Sequence, residues 1–338
     1  MPDEPLPNSS PPSVWEPLRP VILQWRDNPA SFVSQALKTI PEPWQVQALE
    51  ALASHDRVAI RSGHGVGKSA LLAWVLLWWQ VTRFPAKIAC TAPTAHQLSD
   101  VLWGEVAKWH RRLAEPFRSW IRLKADRVEL ASAPAESFAV ARTSRKEEPE
   151  ALQGFHSENM LFLIDEASGV DDIVFEVGEG AMSTAGAKTL MTGNPTRGSG
   201  YFHAAFHGGR TRWRGLRVSG EDCALVAPSF VADMATKYGR DSNIYRVRVL
   251  GEFPTSEDDA VIALHLCEAA KARAVEPLAG LLPVWGVDVA RFGSDRTALA
   301  KRQGNVQLEP VVSWRGRDTD RKSTRLNSSH VALSRMPS

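Results

Sequence analysis

The run Ser62-Gly63-His64-Gly65-Val66-Gly67-Lys68-Ser69 places three glycines ahead of a lysine and a hydroxyl. Gly63, Gly65 and Gly67 allow the backbone to wrap so that its N–H groups point inward at a phosphate. A helix starting at Lys68 adds partial positive charge. Lys68 then reaches the β- and γ-phosphates, and Ser69 offers a hydroxyl to Mg²⁺. The usual spacing has glycine where this chain has Ser62, so Gly63 is expected to supply the permissive dihedrals.

A second run, Leu161-Phe162-Leu163-Ile164-Asp165-Glu166, is an apolar strand ending in two carboxylates. Asp165 is placed to hold Mg²⁺ and Glu166 to orient or deprotonate a water. A third, Lys188-Thr189-Leu190-Met191-Thr192-Gly193-Asn194-Pro195, brings Thr192 and Asn194 to a strand end. There they either touch the γ-phosphate or the attacking water, or form an ordinary Asn-Pro turn. Upstream, Gln45 in Pro43-Trp44-Gln45 offers an amide that can read adenine, making ATP the expected cofactor. The alternative is a plain helix start with Trp44 in the core.

The elements that must position these residues alternate. Strands are expected at residues 56–61, 87–91, 160–164 and 188–192, with a strand pair at 127–131 and 137–141. Helices are expected at 67–81 and 94–113. Strands alternating with helices indicate an α/β domain on a mostly parallel sheet. Residues 1–28 begin with five prolines in twelve positions and read as a disordered or loosely packed arm. The ATPase-like domain is assigned to 29–258 and a connector to 259–282. Residues 283–319 then start a second unit with three more candidate strands.

Forty Lys and Arg against 38 Asp and Glu leave a net charge of +2, so only local patches can argue for nucleic acid. Thr196–Arg217 carries five arginines and no acid, and Arg83–Lys146 carries twelve cations against six acids. The first is either a DNA-phosphate patch or a solvated loop. Within the second, Lys108, Arg111 and Arg112 either contact DNA or compensate a helix dipole. Cys90, Cys223 and Cys267 form no metal spacing and fit a reducing compartment. The longest apolar run, Ala70–Trp79, is ten residues, too short to span a bilayer. No membrane association is expected, and the protein should be cytosolic.

Taken together, the motifs resemble the large subunit of a tailed-phage terminase, the ATPase and nuclease of a DNA-packaging motor. The likeness covers roughly residues 40–319. It includes Pro43-Trp44-Gln45, the phosphate loop, Thr91-Ala92-Pro93-Thr94, the Asp165-Glu166 strand, Met191 to Pro195, Tyr245 to Pro254, and Gly286-Val287-Asp288-Val289-Ala290. The resemblance implies a P-loop (RecA/ASCE-like) ATPase domain followed by the start of an RNase H-like nuclease domain. It implies Lys68, Glu166 and Asn194 as catalytic groups. An arginine finger would come from Arg142, favoured because it ends a strand, or from Arg145. Asp288, with Asp295 as helper, would bind Mg²⁺ or Mn²⁺ in the nuclease of the intact parent.

The remaining nuclease ligands are expected farther along a full-length protein, so this chain reads as C-terminally truncated and without nuclease activity. Residues 320–338 leave the family pattern and read as a non-native tail resembling translated adapter sequence. Implied partners are double-stranded DNA, a portal protein, a small terminase subunit and further copies of the chain in a ring. The implied setting is the cytoplasm of a bacterial host. Two rivals stay open. One is a superfamily 2 helicase-like DNA-dependent ATPase, which needs a second RecA-like domain. The other is a prophage remnant that only binds nucleotide.

Overall fold

The computed structural model describes residues 13–143, 157–181, 184, 186–255, 264–277, 279–290 and 296–314. The chain divides into two units, Met1–Leu266 and Cys267–Ser338.

In the first unit, α1 (Arg19–Asp27), α2 (Pro29–Ala36) and α3 (Pro43–Ser54) precede β1 (Arg57–Ser62). The phosphate loop leads into α4 (Lys68–Thr82) and β2 (Ala86–Thr91). A π-helical turn at Gln97–Leu102 precedes α5 (Trp103–Arg112), so the single helix expected at 94–113 is broken in two. Next come β3 (Ile121–Leu123), β4 (Arg127–Leu130), β5 (Phe138–Ala141), β6 (Asn159–Ile164), β7 (Lys188–Gly193) and β8 (Arg214–Val218). They form one sheet in the order β3-β4-β5-β2-β6-β7-β1-β8. From β5 to β8 every pairing is parallel, and β3 and β4 join antiparallel at one edge. The mostly parallel α/β expectation holds, although β3 and β8 are not among the expected strands.

Both faces of the sheet are covered, as parallel sheets require. Alternate residues of each strand face opposite layers: Val58 and Ile60 enter the core with α4, while Ala59 and Phe162 pack with Phe175 and Phe202. Helix α4 is buried all round, 13 of its 15 residues, which is why its sequence is almost continuously apolar.

Residues 13–28 correct the expectation of a loose arm. Trp15, Ile22 and Trp25 are buried, and the carbonyl of Trp25 accepts a 2.7 Å hydrogen bond from Trp78 Nε1. Apolar anchors spaced along a Pro-rich segment bury enough surface to offset its ordering cost. Residues 1–12 and 320–338 lie outside the described residues.

The second unit contains β9 (Val284–Asp288), β10 (Thr297–Gln303), β11 (Val306–Gln307) and β12 (Val312–Trp314). The strands pair with β10 throughout and all pairings are antiparallel. Val284, Val287, Val289 and Val312 are exposed. Among the described residues, no helix is long and apolar enough to cross a membrane.

Candidate active site

The strand order decides where the chemistry meets. β7 lies between β6 and β1, so the carboxyl end of β7 falls between the Asp165-Glu166 pair and the phosphate loop. Lys68 Nζ donates to Asn194 Oδ1 at 3.2 Å and lies 3.5 Å from Glu166 Oε1. Asn194 in turn donates from Nδ2 to Ser62 O at 2.7 Å and from its backbone N to Glu166 Oε2 at 3.2 Å. Three residues far apart in sequence thus form one bonded group, with Lys68 only 8% exposed.

The loop is held from behind. Gly63 N donates to Val218 O and His64 N to Arg248 O, at 3.1 and 2.8 Å. Among the described residues, no acceptor meets the N–H groups of Gly65, Val66, Gly67 or Lys68. These are the donors left to cradle an anion. Gly65 and Gly67 adopt φ of +74° and +93°, which favour glycine. Gly63 corrects the expectation, because its φ is not positive. A Cβ there would sit 2.4 Å from Val249 O, so what it supplies is space. Ser62 occupies the usual glycine position as a buried strand end, its Oγ bonded to Gly63 O.

The carboxylates are also positioned. Asp165 is 4% exposed, and its Oδ1 accepts from Thr192 Oγ1 and Glu166 N. Burial, then the neighbouring Glu166 carboxylate, push Asp165 up to about 6, against Lys68 and the Thr192 bond. Thr192 therefore faces Asp165 and is fully buried. Glu166 turns out of the strand at φ 47°, ψ 46°, a strained conformation for a side-chain-bearing residue. Across from it Gly193 approaches so closely that a Cβ would lie 3.0 Å from Ala167 N. Ser168 Oγ fastens the two strand ends, accepting from Thr196 Oγ1 and Arg197 N.

Lys68, Glu166 and Asn194 open onto a cleft of about 1040 Å³, whose lining also includes His64, Ser69 and Gln45. That volume suits a nucleotide. The donor set of hydroxyl and carboxylate oxygens from Ser69 and Asp165 suits Mg²⁺. Gln45 has a second task that its sequence position hides. Its Oε1 accepts from Glu42 N, closing a capping box on α3, and its Nε2 donates to Gly67 O at 3.2 Å. One N–H and one lone pair remain for a base.

The chain is similar to known proteins in both sequence and fold. It is 30% identical over 255 residues, 71% of its length, to a curated protein of Enterobacteria phage P7 named "Probable terminase, large subunit". The chain is a relative of the phage terminase large subunits. It spans 51% of that relative's length. No family model matches. The large terminase ATPase domain of Thermus phage P74-26 superposes with a TM-score of 0.54 at 17% identity, covering 67% of this chain and 99% of that one. The large terminase of another thermophilic bacteriophage, solved in complex with ADP, superposes with a TM-score of 0.52 at 12% identity, covering 84% of this chain and 71% of that one. The first unit therefore has the terminase ATPase fold.

Other candidates are not brought to the cleft. Arg142 is exposed at the end of β5, with its backbone N on Cys90 O. β5 stands four strands from β1, about 19 Å across the sheet. Arg145 and Asp295 lie outside the described residues. Asp288 ends β9 and is exposed; among the described residues no group of three metal-ligating side chains forms.

The basic patches are partly neutralised. Arg217 and Arg246 share Glu252, and Arg212 lies 3.6 Å from Glu179. Arg83 is buried against the Trp78 and Trp79 rings, so it is no surface cation. Lys108 pairs with Glu105, and Arg122, Lys124 and Arg127 surround the buried Glu129.

Proposed function

We propose that the chain is the ATPase of a DNA-packaging motor that binds ATP with Mg²⁺ in the cleft of its first unit. The carrying observation is the Lys68–Asn194–Glu166 group at the mouth of a loop with free inward N–H donors. Lys68 neutralises the phosphates, and Glu166 orients the attacking water and accepts its proton. Ser69 and Asp165 would hold the metal, which supplies Lewis-acid polarisation of the phosphates. Gln45 would read the adenine edge with its remaining N–H and lone pair.

Arg142 is too far from its own loop to act there, which favours a finger acting on the neighbouring copy in a ring. Arg197, Arg210 and Arg214 have no ion pair among the described residues and are the arginines available to duplex DNA. A portal protein and a small terminase subunit fit as partners, in the cytoplasm of a bacterial host. For the second unit we infer a nuclease-type sheet. Its antiparallel β9-β10-β12 arrangement, with Asp288 at a strand end, supports an RNase H-like reading with Asp288 and Asp295 on Mg²⁺ or Mn²⁺. The same antiparallel pairing speaks against a second RecA-like domain, and so against the helicase rival.

The test is phosphate release with and without linear duplex DNA and a portal ring. Release that rises with DNA and portal, and is absent in Lys68→Ala, supports the motor reading. Hydrolysis indifferent to both leaves a plain nucleotidase. Mixing Glu166→Ala with Arg142→Ala subunits adds a second arm, because recovery of hydrolysis in the mixture requires an arginine acting between copies.

A further inference from the structure

His64 stands at the tip of the phosphate loop between Gly63 and Gly65. Its backbone N–H is fixed on Arg248 O, so the residue's place is set by the protein. Its side chain is exposed and lines the same cleft as Lys68, Ser69, Glu166 and Asn194. The charged groups around it are Lys68 from α4, Glu166 from the end of β6 and Arg248 from the π-turn Arg246–Leu250. Among the described residues no carboxylate pairs with its ring, whereas the two lysines on this cleft are paired, Lys68 with Glu166 and Lys108 with Glu105.

We propose that His64 is a second cationic ligand of the nucleotide phosphates, binding them as imidazolium and taking up a proton from solvent as it does so. This rests on the reading of the cleft as an ATP site. The surroundings give the proposal its signature. Burial first, then Lys68, and after the opposing Glu166 also Arg248, hold the free imidazole below its ordinary 6.5. A polyphosphate entering the cleft reverses the local field and favours the charged ring. With a raised value in the complex and a depressed one without it, affinity is greatest at low pH. It falls as pH rises through the interval between the two values. Each unit of separation is worth about tenfold in affinity.

The experiment is calorimetric titration of the full chain with Mg²⁺–ATPγS. It compares two buffers of different ionisation enthalpy, across about pH 5 to pH 8, where histidine titrates. The ligand's own terminal phosphate titrates in this range, so the comparison is between the parent and His64→Gln. The parent should take up more protons than His64→Gln, and its affinity should fall about tenfold further across the range. His64→Arg should restore affinity at high pH and lose the extra proton uptake, which a merely structural role of His64 does not produce. Equal proton uptake and equal pH dependence in parent and His64→Gln overturn the proposal while leaving the ATP site standing. No binding to the parent at any pH overturns the ATP reading, and the proposal with it.

Discussion

Lys68 and Asn194 are joined by a 3.2 Å hydrogen bond although 126 positions separate them in the chain. The bond exists because β7 is inserted between β1 and β6, and because Asn194 is itself anchored on Ser62 O. In the proposed ATP site, Lys68 would exchange this partner for phosphate oxygens when nucleotide enters. Asn194 then stays behind, with its backbone on Glu166. Asn194→Ala should therefore leave nucleotide affinity within a few-fold and lower turnover about 10²-fold, as the loss of one oriented polar group at a reacting centre does. Steady-state phosphate release alongside a nucleotide titration measures both. Unchanged turnover would remove Asn194 from the mechanism.

The second prediction concerns the backing of the loop. A Cβ on Gly63 meets Val249 O at 2.4 Å, and one on Gly251, at φ +63°, meets the Ser62 Cα at 2.7 Å. All the opposing atoms are backbone, so the neighbour must move. Gly63→Ala and Gly251→Ala should each cost about 1–3 kcal/mol and lower Tm by several degrees. Gly180, on the exposed side of the Asp172–Ala181 helix with nothing within 4 Å, is the control. Gly180→Ala should be neutral or stabilising by about 0.5–1 kcal/mol. Equal melting of all three variants would show that the loop is not braced as described.

The contrast between Gly63 and Gly65 shows where sequence reading stops. Spacing alone located the loop, the Asp165-Glu166 strand and the Asn194 strand end, because apolar runs closed by polar residues are local signals. It also anticipated the parallel sheet, since strands and helices alternate. The reason for Gly63 was not legible, because the atom it avoids, Val249 O, belongs to a segment remote in sequence. Strand β8 was missed for a related reason. At the sheet's edge its arginines face solvent, so Arg214-Gly215-Leu216-Arg217-Val218 lacks the apolar run that marked the central strands. The packed residues 13–28 hid behind the five prolines of residues 1–12. The bond from Thr192 Oγ1 to Asp165 was not legible either, because the two residues are 27 positions apart and meet only through the β6–β7 pairing.

The third prediction follows from the Asp165 titration. Its folded value, about 6, lies above the ordinary 3.8, so the folded state prefers the protonated form. The carboxylate therefore costs stability that grows as pH rises from about 4 to about 6 and is constant above, of the order of 1–3 kcal/mol. Asp165→Asn keeps an acceptor for Thr192 Oγ1 and Glu166 N while removing the charge. It should raise Tm near pH 8 without added Mg²⁺ and have little effect near pH 4. It should also abolish hydrolysis. A Tm difference independent of pH would contradict the buried-charge assignment.

The most direct test of the account is ATP binding and turnover by Glu166→Gln beside the parent and Lys68→Ala. Glutamine keeps the size of the side chain, and its amide oxygen can still accept from Asn194 N, while the proton acceptor is lost. Glu166→Gln should bind ATP about as tightly as the parent and turn it over about 10²–10⁴-fold more slowly, whereas Lys68→Ala should lose binding. Equal turnover by Glu166→Gln and the parent would contradict the assignment of this cleft as a hydrolytic site.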